Sequence, residues 1–523
     1  MAHTETDASG RFAPSERSTS EPGELSQAER HRIDGKVEDE ARRSNVTGTD
    51  SASKSVLGQE AAESGYDSGS DGSSGDRGKG QAAKVEEGDP SSRPRHFPCF
   101  DGLRAFAALS IVVLHTAWWS GYTTRSGFGN YLGRLEIGVS VFFLISGFLL
   151  YRPFAISHLS ERPAPGAGKF WVRRLLRIVP AYWLALTVLI YVIHAVSIGP
   201  GWQSVVAHYG FVQIYFPSQI FTGIVQAWSL CTEMSFYLFL PVYATVIAFR
   251  SRSQVAQLVR ELCGLVLLVV ISVIFQDWVL TQPVHCQPNC LTRPALVSTM
   301  TTWLPYYLDL FALGMFLAVM SAWFTERTSE PSWLSNRVVP WASWVLAAVV
   351  FYWVSHLGIP GNPLYFVSPS TNLVEHALYG VFAFFLLLPA VFGPQEKGLI
   401  RRLLRFWPVA ALGVISYGIY LWHLPWIDDF WGMTGYRPYR TPFWILLVGV
   451  LALSIGAASL SYFCVELPLL RLKDRISWWG SSGRRTETPG RGQGGSVSSG
   501  DAGVESAGRG NQAQTDVEPV ATH

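Results

Sequence analysis

Arg104 and His115 are the two residues whose chemistry stands out most sharply from their surroundings. Ten residues separate them, Ala105 to Leu114, nearly all apolar. In an α-helix, eleven steps of about 100° return to within about 20° of the starting direction, which puts both side chains on one face with His115 about 16 Å further along the axis. A guanidinium fork suits phosphate or carboxylate. A neutral imidazole held away from water suits general-base work. The alternative pairs Arg104 with nearby Asp101 and leaves His115 as a polar residue of helix packing. Geometry alone keeps both open.

A second constellation lies in Trp228-Ser-Leu-Cys-Thr-Glu233-Met-Ser-Phe-Tyr237, where Ser229, Glu233 and Tyr237 stand at i, i+4 and i+8 on one helical face. Glu233 could accept a hydrogen bond from an imidazole or an acceptor hydroxyl, or it could be the partner of an arginine in the bundle. The run Lys169 to Arg177 places Lys169, Arg173 and Arg177 on one face and Trp171, Leu175 and Ile178 on another. It is too short and too basic to span a bilayer by itself. It reads as an interfacial helix on anionic lipid, or as a basic cradle for a phosphorylated cytosolic donor. Asp309, Glu375, His376 and His423 also fall within apolar runs, where ionisable groups are costly and are functional candidates by default. Glu136 and His194 sit at the edges of such runs.

The elements that must carry these residues are read from the apolar pattern. Ten runs of bilayer length recur, at 101–120, 136–153, 179–196, 228–249, 262–280, 303–323, 339–355, 373–392, 408–426 and 443–463. With the N-terminus inside, and with the tails counted only at 93–95 and 471–485, the cytoplasmic segments next to the spans hold 22 Lys and Arg and the outside loops hold 5, so both termini are expected to be cytoplasmic. Over all 523 residues hydrophobic types make up 48% and charged types only 15%, with 20 Trp, 30 Phe and 20 Tyr. That balance argues against a soluble enzyme, a nucleic-acid binder or a disulfide-rich secreted module. Residues 1–95 carry 19 acids and 13 bases with two aromatics, and residues 480–523 carry no aromatic at all. Both read as disordered tails flanking a transmembrane domain at 96–479. No apolar run lies near Met1, so no cleavable signal peptide is expected. Cys231, Cys263 and Cys464 read as small buried hydrophobes. Cys286 and Cys290 share one loop on the expected outer side, where a disulfide is allowed; a metal site there lacks a ligand set, and none is assigned.

The fold expected is therefore all-α, a polytopic membrane helical bundle of about ten transmembrane helices. Its motifs resemble those of the membrane acyltransferase 3 family, integral-membrane enzymes that O-acylate sugars, polysaccharides and macrolides. The likeness begins at Phe100-Asp101-Gly102-Leu103-Arg104-Ala105 and the Arg104-(ten residues)-His115 spacing. It continues through Gly138-Val-Ser-Val-Phe-Phe143-Leu-Ile-Ser146-Gly147-Phe148, then Arg174-Leu-Leu-Arg177-Ile-Val-Pro180-Ala-Tyr182 and Trp228-Ser229-Leu230…Glu233…Phe236-Tyr237. The late motifs are Gly413-Val-Ile-Ser416-Tyr417-Gly-Ile-Tyr420-Leu421-Trp-His423 and Val465-Glu466-Leu-Pro468-Leu-Leu-Arg471. Together they cover roughly residues 98–475. No hydrolase-like domain follows the last span, unlike the fused members of the family, so relay of the acyl group to one on the same chain is not expected.

The resemblance implies an O-acyltransferase moving a short acyl group, commonly acetyl, from cytosolic acyl-CoA to a hydroxyl of a sugar, cell-envelope glycan or glycosylated metabolite. Acyl-CoA would be a co-substrate, with no further cofactor. Carried over by position, His115 becomes the base or acyl-relay residue, Arg104 a donor-binding or orienting residue and Glu233 a third catalytic residue. Substrate contacts are assigned to Asp101, Ser146, Arg174 and Arg177, and to Ser229, Tyr237 and His423. The partners implied are acyl-CoA, a hydroxyl-bearing carbohydrate acceptor and the lipid bilayer, and no nucleic acid. A multi-span transporter or exporter of a glycan or small metabolite is the competing class. It would be expected to show an internal repeat and paired broken helices, neither of which the sequence displays.

Overall fold

The computed structural model describes residues 97–471 except 161, 249–252, 284, 288, 289, 293, 294, 328–330, 333, 335, 337 and 359–367. The tails expected at 1–95 and 480–523 lie outside the described residues. Eleven principal helices follow one another: α1 (Cys99–Trp119), α2 (Ile137–Leu159), α3 (Ala167–Tyr191), α4 (Trp228–Ile247), α5 (Gln254–Leu280), α6 (Leu304–Glu326), α7 (Val338–Ser355), α8 (Pro369–Val391), α9 (Trp407–Val414), α10 (Ser416–Thr434) and α11 (Phe443–Ser461). Among the described residues, nine helices are long and apolar enough to cross a membrane, and α9 with α10 passes the same test only as a pair bent into a broken span or a re-entrant loop. A short antiparallel hairpin joins α5 to the segment before α6, pairing His285–Gln287 with Cys290–Thr292. Its register sets Cys286 opposite Leu291 and Cys290 opposite Gln287. The two cysteine side chains, and with them the expected disulfide, lie outside what is described.

The helices are apolar on their outer faces as well as in the core, and their polar groups turn inward. On α5 the buried stripe runs Gln257, Glu261, Gly264, Leu265, Leu268, Ser272, Gln276 and Val279, a spacing of three and four. Val266, Leu267, Val270, Ile271 and Ile274 on the opposite face are exposed. Hydrocarbon solvates that outer face, and the inner polar groups must find protein partners because lipid offers none. They do: Ser272 Oγ donates to Asp309 Oδ1 at 3.0 Å and Gln276 Nε2 donates to the Tyr306 carbonyl at 2.7 Å. Glu261, fully buried, accepts from Tyr151 Oη at 2.5 Å and pairs with His158 Nδ1 at 2.6 Å, tying α5 to α2.

The centre of the bundle is the crossing of α2 and α6. Gly147 sits against the backbone of Phe311 and Gly314 against the backbone of Leu144, so neither position has room for a side chain. Close backbone approach through small residues is how membrane helices gain packing energy without a hydrophobic driving force. Around the crossing stack Phe143, Phe236 and Phe311, with ring centroids 4.0 Å apart for Phe236–Phe311 and 4.7 Å for Phe143–Phe311.

Several sequence expectations need correction. The basic run Lys169–Arg177 is no separate interfacial helix: it is the first part of α3, which continues through Pro180 to Tyr191. The third span consequently starts earlier than 179 and ends at Tyr191 rather than at 196. The ninth run, expected as one span over 408–426, is broken and bends by 70° at Ile415. Gly413 and Ser416 flank the break, and Ser416 Oγ donates to the Gly413 carbonyl at 2.8 Å, a local bond that competes with the helical ladder. Cys263 and Cys464 are exposed on the bundle's outer surface, and only Cys231 of that trio is buried.

Candidate active site

A cavity opens between α1, α2, α3, α4 and α10, and seven of the ten residues expected at the site line it: Arg104, Ser146, Arg174, Arg177, Ser229, Glu233 and Tyr237. They arrive from four helices, α1 to α4, by helical periodicity. Arg104 projects one turn into α1. Ser146 precedes Gly147, so the close α2–α6 crossing fixes its height. Ser229, Glu233 and Tyr237 form the stripe that their spacing requires on α4. Arg174 and Arg177 share a face of α3 at i and i+3.

Within the cavity Ser146 Oγ donates to Glu233 Oε1. Arg104 Nη1 donates to Asp101 Oδ1 at 3.3 Å, so the pairing offered as the structural alternative is present, with Asp101 bracing Arg104 from behind the cavity wall. Buried Arg174 Nε has no hydrogen-bond partner among the described residues. An orphan buried guanidinium donor is costly, and an anion is the kind of group that would satisfy it. Trp171 Nε1, on the same helix, donates to the Tyr237 carbonyl at 2.9 Å and fastens α3 to α4.

Four polar cavity residues were not singled out as site residues from the sequence: Ser416, Tyr417, Tyr420 and Glu466. Tyr420 Oη donates to the Gln226 carbonyl at 2.9 Å and receives Ser229 Oγ at 2.8 Å. Tyr417 Oη donates to the Ile178 carbonyl at 3.0 Å. Glu466 closes the π-helical turn Tyr462–Glu466 that follows α11. Such a turn rotates the side chain off the regular helical stripe, which is why periodicity does not place it. The signal was available in the late motifs, which contain all four.

His115 and His423 are not on the cavity wall. The structure brings them together behind Tyr420: His115 Nδ1 lies 2.8 Å from His423 Nε2, with the rings stacked at 5.0 Å and 22°. His423 Nδ1 lies 2.7 Å from the Tyr420 carbonyl, and its side chain is fully buried whereas His115 is half-buried. Glu233 therefore takes Ser146, not an imidazole, as its hydrogen-bond partner. Tyr420 is the link between the two places, presenting its hydroxyl to the cavity side and its carbonyl to the histidine pair.

The remaining intramembrane charges satisfy one another elsewhere. Arg134 pairs with Glu375, and Tyr379 Oη lies 2.8 Å from Glu375 Oε1 and 2.9 Å from Glu136 Oε1. His376 Nε2 pairs with Asp309 Oδ2 at 2.9 Å. These contacts brace α2, α5, α6 and α8. His194 lies past the end of α3 at a left-handed φ of 60°. Among the described residues no group of three or more His, Cys, Asp or Glu could hold a metal ion.

Fold and site together define a multi-pass helical membrane protein with an arginine-rich intramembrane cavity beside a buried histidine pair. The chain belongs to the acyltransferase 3 family, whose acyltransferase domain matches residues 97–462. It is similar to the O-acetyltransferase OatA of Staphylococcus aureus, at 24% identity over 72% of this chain and 57% of the relative. It is similar also to YrhL of Bacillus subtilis, whose name assigns it provisionally as a peptidoglycan O-acetyltransferase, at 28% identity over 72% of this chain and 55% of the relative. A third relative is BcsY of Komagataeibacter xylinus, named provisionally as a membrane-bound transacylase, at 26% identity over 74% of this chain and 85% of the relative. The chain thus spans little more than half the length of OatA and YrhL. No solved structure matches it.

Proposed function

We propose that this protein is an O-acyltransferase that moves a short acyl group, acetyl in the first instance, from acyl-CoA to a hydroxyl of a cell-envelope glycan or other glycosylated acceptor. The observation that carries this reading is the convergence of Arg104, Arg174 and Arg177 with Ser146, Ser229 and Glu233 in one cavity, one residue away from a histidine pair. Guanidinium forks recognise phosphate oxygens, and the donor of an acyl-CoA is phosphate-rich at one end and reactive at the other. In this reading the phosphates stay with the arginines, while the pantetheine arm, about as long as the roughly 16 Å rise from Arg104 to His115, carries the thioester past Tyr420. The acceptor hydroxyl attacks the thioester carbonyl carbon as His115 takes its proton. The carbon–sulfur bond then breaks, and the thiolate recovers the proton from the imidazolium. Glu233 balances the arginine charge before the donor arrives. With the N-terminus cytoplasmic, the arginine cavity faces the cytosolic donor pool.

The relatives' names support an acetyl donor and a glycan acceptor, peptidoglycan among them. The test is acceptor-dependent release of free CoA from acetyl-CoA by the purified protein in detergent, together with comparison of envelope glycans and secreted metabolites from native and deletion strains. The reading expects thiol release and the loss of one O-acetylated species in the deletion strain. No turnover with any short acyl-CoA, alongside solute flux in vesicles, would replace it with a transporter.

A further inference from the structure

The histidine pair has a proton arrangement that its hydrogen bonds dictate. The Tyr420 carbonyl carries no hydrogen, so the ring nitrogen 2.7 Å from it, His423 Nδ1, must be the one bearing N–H. His423 is fully buried and stacked on a second imidazole, a setting in which a cationic ring would be heavily penalised, so it is neutral and has a single N–H. Its Nε2 is then a lone pair. The atom facing that lone pair at 2.8 Å is His115 Nδ1, which must therefore be the donor. A neutral His115 with its proton on Nδ1 keeps a lone pair on Nε2.

We infer that His423 is a positioning residue which fixes His115 as the Nδ1–H tautomer and leaves Nε2 as the nitrogen that accepts the acceptor's proton. This rests on the reading of His115 as the base. Histidine free in water favours the opposite tautomer, so without His423 the lone pair would turn to Nδ1 and Nε2 would carry the proton. The same contact stabilises the imidazolium that forms during transfer, because Nδ1–H keeps its acceptor when Nε2 gains a proton. The device is fixed by α10 itself. His423 bonds back to the carbonyl three residues earlier in its own helix. Pro425 lacks the N–H that would have bonded to the Leu421 carbonyl, and Gln226 Nε2 fills that place from outside at 2.8 Å, holding the segment in register. Chain order alone would not suggest the pair, since 308 positions separate its members.

The test is ¹⁵N NMR of histidine-labelled protein in detergent, with the His115 signals assigned by their loss in His115→Ala. The wild type should show a protonated, pyrrole-type His115 Nδ1 and a pyridine-type Nε2. In His423→Leu the pattern should move to Nε2–H, and kcat with acetyl-CoA should fall by about 10²-fold or more with the donor KM within about twofold. His423→Gln, which offers a carbonyl oxygen where Nε2 was, should keep the Nδ1–H pattern and recover part of the rate. A wild-type His115 with pyridine-type Nδ1, or a tautomer unmoved by His423→Leu, would overturn the inference whatever the kinetics. The wild-type spectrum decides this even where a variant fails to fold. Full turnover in His115→Ala is a different result, and it would overturn the base reading instead.

Discussion

Arg104 has two duties that a lysine could fulfil only in part. It bonds Asp101 behind it and faces the cavity in front, which uses the planar spread of its donors. Arg104→Lys should therefore keep folding and raise the apparent KM for acetyl-CoA roughly tenfold, about 1.4 kcal/mol, with a smaller change in kcat, as steady-state kinetics would read. Glu233→Gln works in the other direction. Glutamine still accepts the Ser146 hydroxyl, so membrane yield should hold, while removal of a negative charge beside three guanidinium groups should leave the donor KM unchanged or lower it. The turnover number should fall by roughly tenfold. A raised KM, or a collapse in yield with normal specific activity, would make Glu233 a brace. At this scale much of the site was legible. Spacing put Ser229, Glu233 and Tyr237 on one stripe, and the motif matches added Ser146, Arg174 and Arg177 to the same cavity. The spacing of Arg104 and His115 did not show that Arg104 lines the cavity while His115 pairs with His423, because no local rule encodes a contact between the first and tenth helices.

Helices of the expected kind appear close to where the apolar runs place them, since the bilayer's thickness sets both length and composition. Two elements depart from this. The basic start of α3 is helical and continuous with its span, because an arginine-rich turn can extend an apolar helix when its charges have a polar cavity and an aqueous edge to face. At the break between α9 and α10 the Ser416–Gly413 bond and the close approach of Gly413 to the Asp101 backbone coincide, and apolar periodicity registers neither. Further along α10, the Leu421 carbonyl freed by Pro425 gives a test of how the site helix is held. Gln226→Leu should destabilise the protein by about 1–3 kcal/mol by leaving that buried carbonyl unpaired. Pro425→Ala restores a backbone donor at the right position, so in the double variant much of the loss should vanish. Thermal unfolding of the four proteins in one detergent reads the coupling. Strict additivity would show that Gln226 does not serve this carbonyl.

On the scale of the whole molecule, an inward polar stripe, an outward apolar surface and a tight glycine crossing make a rigid frame that holds an arginine cavity and a histidine pair on either side of Tyr420. The excess of basic residues in alternate segments next to the spans, 22 against 5, predicts the orientation of that frame. Reporter fusions after residue 95 and after residue 480 should both report cytoplasm, and an external signal at either would reverse the assignment of donor and acceptor faces. The claim that joins all scales is that His115 takes the acceptor's proton during acyl transfer. The most direct measurement is acceptor-dependent release of free CoA from acetyl-CoA by purified wild-type and His115→Ala proteins, matched for membrane insertion and for monodispersity in detergent. Wild type should turn over, and His115→Ala should be slower by about 10²–10⁴-fold. Wild-type turnover in a well-inserted His115→Ala protein would contradict the account.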